Sequence, residues 1–147
     1  SQVVAFDKDP QRVAQLYQAS KGENLPILPL IMDFRKPTAA RGPAQHWSIA
    51  ATERLQCDLV LALGLLHQLV RDLYFPQIVE GLASFTKRWL VVEFISCEDE
   101  ALRHQWWAAR LSWYTLDNFV DALKQRFRHV TLMPSAPESR MLLLCEK

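Results

Sequence analysis

The chain has no glycine-rich loop ahead of its first apolar run, which begins at Val3. The usual backbone cradle for a nucleotide's phosphates or carboxylates is therefore missing from this stretch. An excess of one charge is missing too. Seventeen basic and sixteen acidic residues leave a formal net charge of +1, so nothing points to nucleic acid or to an anionic membrane. No apolar run is long enough to cross a bilayer. No signal peptide is visible, since the chain opens on polar Ser1-Gln2 and a short strand-like run. Cys57, Cys97 and Cys145 are odd in number and far apart. They make no CxxC pair and no metal-ligand spacing with the four histidines. They read as buried thiols of a cytoplasmic protein, and no metal is expected.

Half of the 147 residues are hydrophobic and 22% are charged, a globular composition with enough chain for one domain spanning 1–147. Its most informative feature is an acidic residue closing an apolar run, seen twice. The first is Val3-Val4-Ala5-Phe6-Asp7 and the second is Ile27-Leu28-Pro29-Leu30-Ile31-Met32-Asp33-Phe34. A third run, Asp58-Leu59-Val60-Leu61-Ala62-Leu63-Gly64, follows. Open α/β sheets hold the polar parts of nucleotides at the carboxyl ends of their parallel strands. Two carboxylates there suggest a ribose and an adenine.

The spacing predicts strands at 3–6, 28–32, 59–63 and 89–95, with closing strands at 127–133 and 141–145. The run 59–63 has the unbroken apolarity of a parallel strand covered on both faces. Helices are expected from Asp9-Pro10 to Gly22, briefly within 47–55, over 75–85, over the polar 98–111, and from Thr115 onward. Alternating strands and helices imply an α/β fold. Its sheet is mostly parallel and Rossmann-like, with helices on both faces and a C-terminal antiparallel β-hairpin.

The phrases Asp58-Leu59-Val60-Leu61-Ala62-Leu63, Leu66-His67-Gln68-Leu69, Arg88-Trp89-Leu90-Val91-Val92-Glu93-Phe94 and Tyr114-Thr115-Leu116-Asp117-Asn118-Phe119 resemble the class I S-adenosylmethionine-dependent methyltransferases. The resemblance is to a bacterial, nodulation-protein-like group, from the family's second strand to its last. It implies that Asp7 binds the ribose hydroxyls of S-adenosylmethionine. It implies that Asp33 accepts from the adenine amine beside the Phe34 N–H, and that Leu63 and Gly64 pass their backbone beneath the methionine part. Each carboxylate also has a plainer reading, as the cap of its own turn. The family's first strand and glycine-rich turn have no counterpart here. A fragment of a longer chain is therefore expected, with a gapped sheet or a strand supplied by a neighbouring chain, and with poor cofactor binding when alone.

His67 and Glu93 are the candidate catalytic residues. His67 follows the third run, on the acceptor side of this fold, where it is either a base or a packed histidine. Glu93 lies within a strand and must be paired or perturbed. It either faces the site or bonds neighbouring backbone. Trp106, Trp107 and Trp113 suggest either an aromatic wall for an unidentified small-molecule or protein acceptor or an apolar helix face. No role falls to His46, His104 or His129. Two other functions compete: a non-catalytic interaction module using exposed Trp106 and Trp107, and an NAD-binding Rossmann oxidoreductase, which also takes an acid after its second strand.

Overall fold

The computed structural model describes residues 2–45, 47–105, 107 and 110–147. The chain divides into two compact units, Ser1–Leu55 and Gln56–Lys147.

In the first unit, β1 (Val3–Asp7) pairs in parallel with β2 (Ile27–Ile31), Val3 opposite Ile27 and Asp7 opposite Ile31. The crossover between them is α1 (Pro10–Gly22). Asp9 caps it by accepting the Gln11 N–H at 2.9 Å, and Pro10 occupies the first turn, where no amide hydrogen is needed. The helix expected within 47–55 shrinks to one turn, α2 (Ala51–Arg54).

The second unit holds a four-stranded sheet of β3 (Cys57–Ala62), β4 (Thr86–Ile95), β5 (His129–Pro134) and β6 (Arg140–Glu146), in the order β3-β4-β6-β5. β3 and β4 are parallel, and the other two pairings are antiparallel, so the closing hairpin is as expected. A short α3 (Leu66–Leu69) and a longer α4 (Phe75–Phe85) link β3 to β4, and α5 (Leu116–Lys124) precedes β5. Thr115 caps α5 through the Asn118 N–H. Leu90, Val92 and Phe94 alternate onto one face of β4. There they join Ile78, Val79 and Leu82 of α4 and Phe119 and Leu123 of α5 as the buried core. Phe119 sits 4.9 Å from Phe75 and 6.1 Å from Phe94, ring to ring.

Three expectations are corrected. First, β3 is not covered on both faces. Leu59, Leu61 and Leu63 are about half exposed or more, with Leu61 at 62%. β3 pairs with β4 alone, so among the described residues its second edge has no strand partner. An unbroken apolar run reports affinity for cover, not that both faces have it. Second, the described part of 98–111 forms turns rather than a helix. Asp99 accepts the Ala101 N–H at 2.8 Å and reaches across to β6, while Leu102 and Trp107 are buried. Those anchors hold the segment where a regular helix is not required. Third, only Cys145 is a buried thiol. Cys57 begins the edge strand and is exposed, and Cys97 is intermediate. Burial pushes the Cys145 thiol up to about 12. No described helix is long and apolar enough to cross a membrane.

Candidate functional site

Asp7 is the last residue of β1. Its Oδ1 accepts the Asp9 N–H at 2.8 Å, and Arg12 Nη1 lies 3.7 Å from its Oδ2. Asp33 follows β2. It accepts the Arg35 N–H at 3.0 Å and meets the same guanidinium in a two-pronged pair, Nε to Oδ1 at 3.0 Å and Nη2 to Oδ2 at 2.7 Å. The guanidinium hydrogen bonds are the main cause of a carboxyl pKa held down to about 2. The neighbouring Phe34 is buried. The structure therefore sets both predicted carboxylates at the carboxyl ends of adjacent parallel strands. It also gives each the turn-capping contact of its plainer reading.

The second unit brings Gly64, His67 and Glu93 together. After β3 the chain turns through Gly64, whose φ of +60 is a left-handed conformation that favours glycine. The Gly64 N–H donates to Glu93 Oε2 at 2.9 Å, across 29 residues of sequence. Glu93 sits in β4 opposite Leu142, and its Oε1 lies 3.8 Å from Arg140 Nη1. Glu93 thus bonds neighbouring backbone, the second of its two expected roles.

Arg140 begins β6 and links Glu93 to Asp99. Its Nε donates to Asp99 Oδ2 at 3.0 Å, and the Ser139 hydroxyl donates to the same oxygen at 2.6 Å. Asp99 is 2% exposed. The Arg140 guanidinium, then the Ser139 hydroxyl and the Ala101 N–H, hold its carboxyl well below the usual carboxylate range. Asp99 and Arg140 escaped the sequence reading. Asp99 lies in an unremarkable polar stretch, and only the β4–β6 register, with Arg140 opposite Ile95, brings the two segments together.

His67 lies on α3. Its Nδ1 is buried, with no hydrogen-bond partner among the described residues. Burial lowers its pKa, opposed by the nearby negative charge of Glu93, so the imidazole is neutral near pH 7. Trp107 is 1% exposed and packs edge-on against Tyr114, ring centres 5.3 Å apart. It therefore forms no exposed contact surface, against the expectation for the interaction module. Trp113 contacts Phe75 and Tyr74. Trp106 and His46 lie outside the described residues. No group of three or more potential metal ligands occurs among the described residues.

Parallel strands joined by helices, polar groups at their carboxyl ends and a closing antiparallel hairpin define an α/β fold of the Rossmann-like type. Solved structures make the class more specific: the chain has the fold of known methyltransferases. It is similar to magnesium protoporphyrin IX methyltransferase (ChlM) from Synechocystis PCC 6803 with bound SAH, with a TM-score of 0.63 and 12% identity over 100% of this chain and 64% of that one. It is similar to the N-methyltransferase NodS from Bradyrhizobium japonicum WM9, with a TM-score of 0.58 and 14% identity over 99% of this chain and 73% of that one. A possible exported protein from Bordetella parapertussis gives a TM-score of 0.61 and 15% identity, over 99% of this chain and 53% of that one. The chain thus spans between about half and three quarters of the length of these structures. No protein-family model matches the sequence, and no curated protein does.

Proposed function

We propose that the chain is part of an S-adenosylmethionine-dependent methyltransferase acting on a small-molecule or protein acceptor still to be identified. The observation that carries this reading is the pair of carboxylates, Asp7 and Asp33, at the ends of adjacent parallel strands in a chain with the methyltransferase fold. In this reading Asp7 accepts from both ribose hydroxyls, as one carboxylate can. Asp33 takes the adenine amine beside the Phe34 N–H, and the backbone of Leu63 and Gly64 passes beneath the methionine part. A sulfonium methyl donor is already activated, so alignment of the reacting atoms supplies much of the rate. A base is needed only where the acceptor must lose a proton, and neutral His67 is the candidate. Glu93, held to the Gly64 N–H, is a positioning residue for that turn.

The open edge of β3 and its exposed leucines support a further part of the proposal. A parallel strand with a glycine-rich turn and helix completes the sheet there, supplied by further residues of the protein or by a neighbouring chain. Such a unit brings backbone N–H groups to the cofactor. Without it the described residues bind cofactor weakly. The reading places the protein in the bacterial cytoplasm.

A second reading, a methyltransferase-like association module, is favoured by the contacts already made. Arg35 occupies the Asp33 carboxylate, and Glu93 occupies the Gly64 N–H. The apolar face of β3 is then its contact surface.

Calorimetric titration of S-adenosylhomocysteine separates the two. The titration uses this chain and a version extended upstream along its gene by about 50 residues, enough for one βα unit. Binding to the extended protein alone, weakened at least about tenfold by Asp7→Ala as one charged hydrogen-bonding group is lost, is expected. Binding to neither favours the association module. Preference for NAD moves the protein to the dinucleotide oxidoreductases.

A further inference from the structure

We infer that the depression between the start of α4 and one side of α5 is a binding site for an organic cation, a guanidinium or alkylammonium group. It uses none of the residues proposed to hold the cofactor or to act as a base. The depression has a volume of about 390 Å³, and its lining includes Tyr74, Phe75, Trp113, Asn118, Asp121 and Gln125. Among the described residues, no lysine, arginine or histidine lines it.

Its aromatic faces and its carboxylate, Asp121, are electron-rich. Tyr74 and Trp113 meet with ring centres 5.1 Å apart at 49°, forming an aromatic corner. Buried Phe75 holds Trp113 edge-on from below at 4.9 Å. The backbone carbonyl of Trp113 accepts from Asn118 Nδ2 at 2.9 Å, which ties the Trp113 backbone to α5 and engages one of the amide's two N–H donors. Asn118 keeps its amide oxygen and its second N–H. Asp121, one helical turn further along α5, has no ion-pair or hydrogen-bond partner among the described residues. Lys124, in the last turn of α5, is not among the lining residues, and Arg126 is paired with Glu80. Aromatic faces carry negative charge density, and a cation placed over them beside a carboxylate is attracted by both. An anion would meet Asp121, and a purely apolar ligand would bury that carboxylate without a partner. A delocalised cation is the chemistry that satisfies the aromatic corner and the carboxylate at once.

The test is a titration of the full 147-residue chain, followed by the indole N–H resonance of Trp113. That resonance is assigned by its disappearance in Trp113→Phe. Acetyl-arginine amide is expected to shift it saturably. Its neutral isostere, acetyl-citrulline amide, is expected to bind at least about tenfold more weakly. Asp121 is exposed, so Asp121→Asn keeps the fold and is expected to weaken the arginine probe about tenfold. Equal binding of the charged and neutral probes, no effect of Asp121→Asn, or no shift of Trp113 would each overturn the assignment. A short peptide with one central arginine, compared with tetramethylammonium, separates the sources. Tighter binding of the peptide assigns the site to a polypeptide side chain. Tighter binding of tetramethylammonium assigns it to a free small cation. Both outcomes retain the cation site.

Discussion

In the unit Ser1–Leu55, Asp7 and Asp33 are satisfied by residues two positions along the chain. In the unit Gln56–Lys147, Glu93 and Asp99 reach partners 29 and 40 residues away. A contact two residues away forms in almost any fold and says little about which one is adopted. A contact forty residues away exists only once β4 and β6 are in register, so it reports and reinforces the fold. The same division runs through the cores. Nearly all the fully buried large side chains belong to the second unit, including Phe119, Leu90, Ile78 and Leu143. In the first unit Val3, Val4, Leu28 and Ile31 remain among the exposed hydrophobics. The carboxylates assigned to the cofactor are therefore held by the less consolidated unit.

The largest test of this contrast is in the cores. Phe119 is fully buried against Phe75 and Phe94, and Phe119→Ala is expected to cost about 3–5 kcal/mol. Val4→Ala, at a position 40% exposed, is expected to cost less than about 1 kcal/mol. Urea unfolding followed by tryptophan fluorescence measures both. Equal costs would show that the two units share one core and would break the comparison.

The same division explains what was legible in the sequence. The two parallel strands with their capped helix, β3, α4, α5 and the closing hairpin follow from local patterns: an Asp9-Pro10 start, a Thr115 cap, apolar alternation. Asp7, Asp33 and Gly64 stood out because each ends or interrupts a run. Asp99 and Arg140 did not, because their significance is a register between distant segments. The segment 98–111 read as a helix because its polar residues have helical tolerance, yet its buried Leu102 and Trp107 and the long reach of Asp99 override propensity. The exposure of β3 was illegible for a related reason. Periodicity tells which residues prefer cover, and only topology tells whether cover is present.

Asp99 gives the next test, in the acid limb of stability. Its folded-state pKa lies below that of the unfolded chain, so its contribution is present above the unfolded value of about 3.9. That contribution is lost as pH falls through the folded value. Wild-type urea midpoints are expected to fall steeply below about pH 4. Asp99→Asn is expected to lower the midpoint at pH 7 and flatten that fall, because Arg140 loses its buried partner and the titrating group is gone. An unchanged acid slope in the variant would mean that other carboxylates, not this network, govern acid unfolding.

The smallest effect belongs to Asp33, whose partner is a close neighbour in sequence. Its pKa of about 2 has the same sign. The stabilisation is complete above the unfolded value and is lost as pH falls from about 4 through about 2. Asp33 and Arg35 are each about 30% exposed, so water and salt screen the pair. Asp33→Asn is expected to cost about 0.5–1 kcal/mol at neutral pH, with a smaller difference in 1 M salt than at low ionic strength. A cost as large as that of Phe119→Ala would place Asp33 among the groups that determine the fold. A small, salt-sensitive cost leaves the carboxylate held by a contact weak enough for a ligand's amine to displace. The methyltransferase reading fits that outcome, because an adenine amine then competes with Arg35 for the Asp33 oxygens.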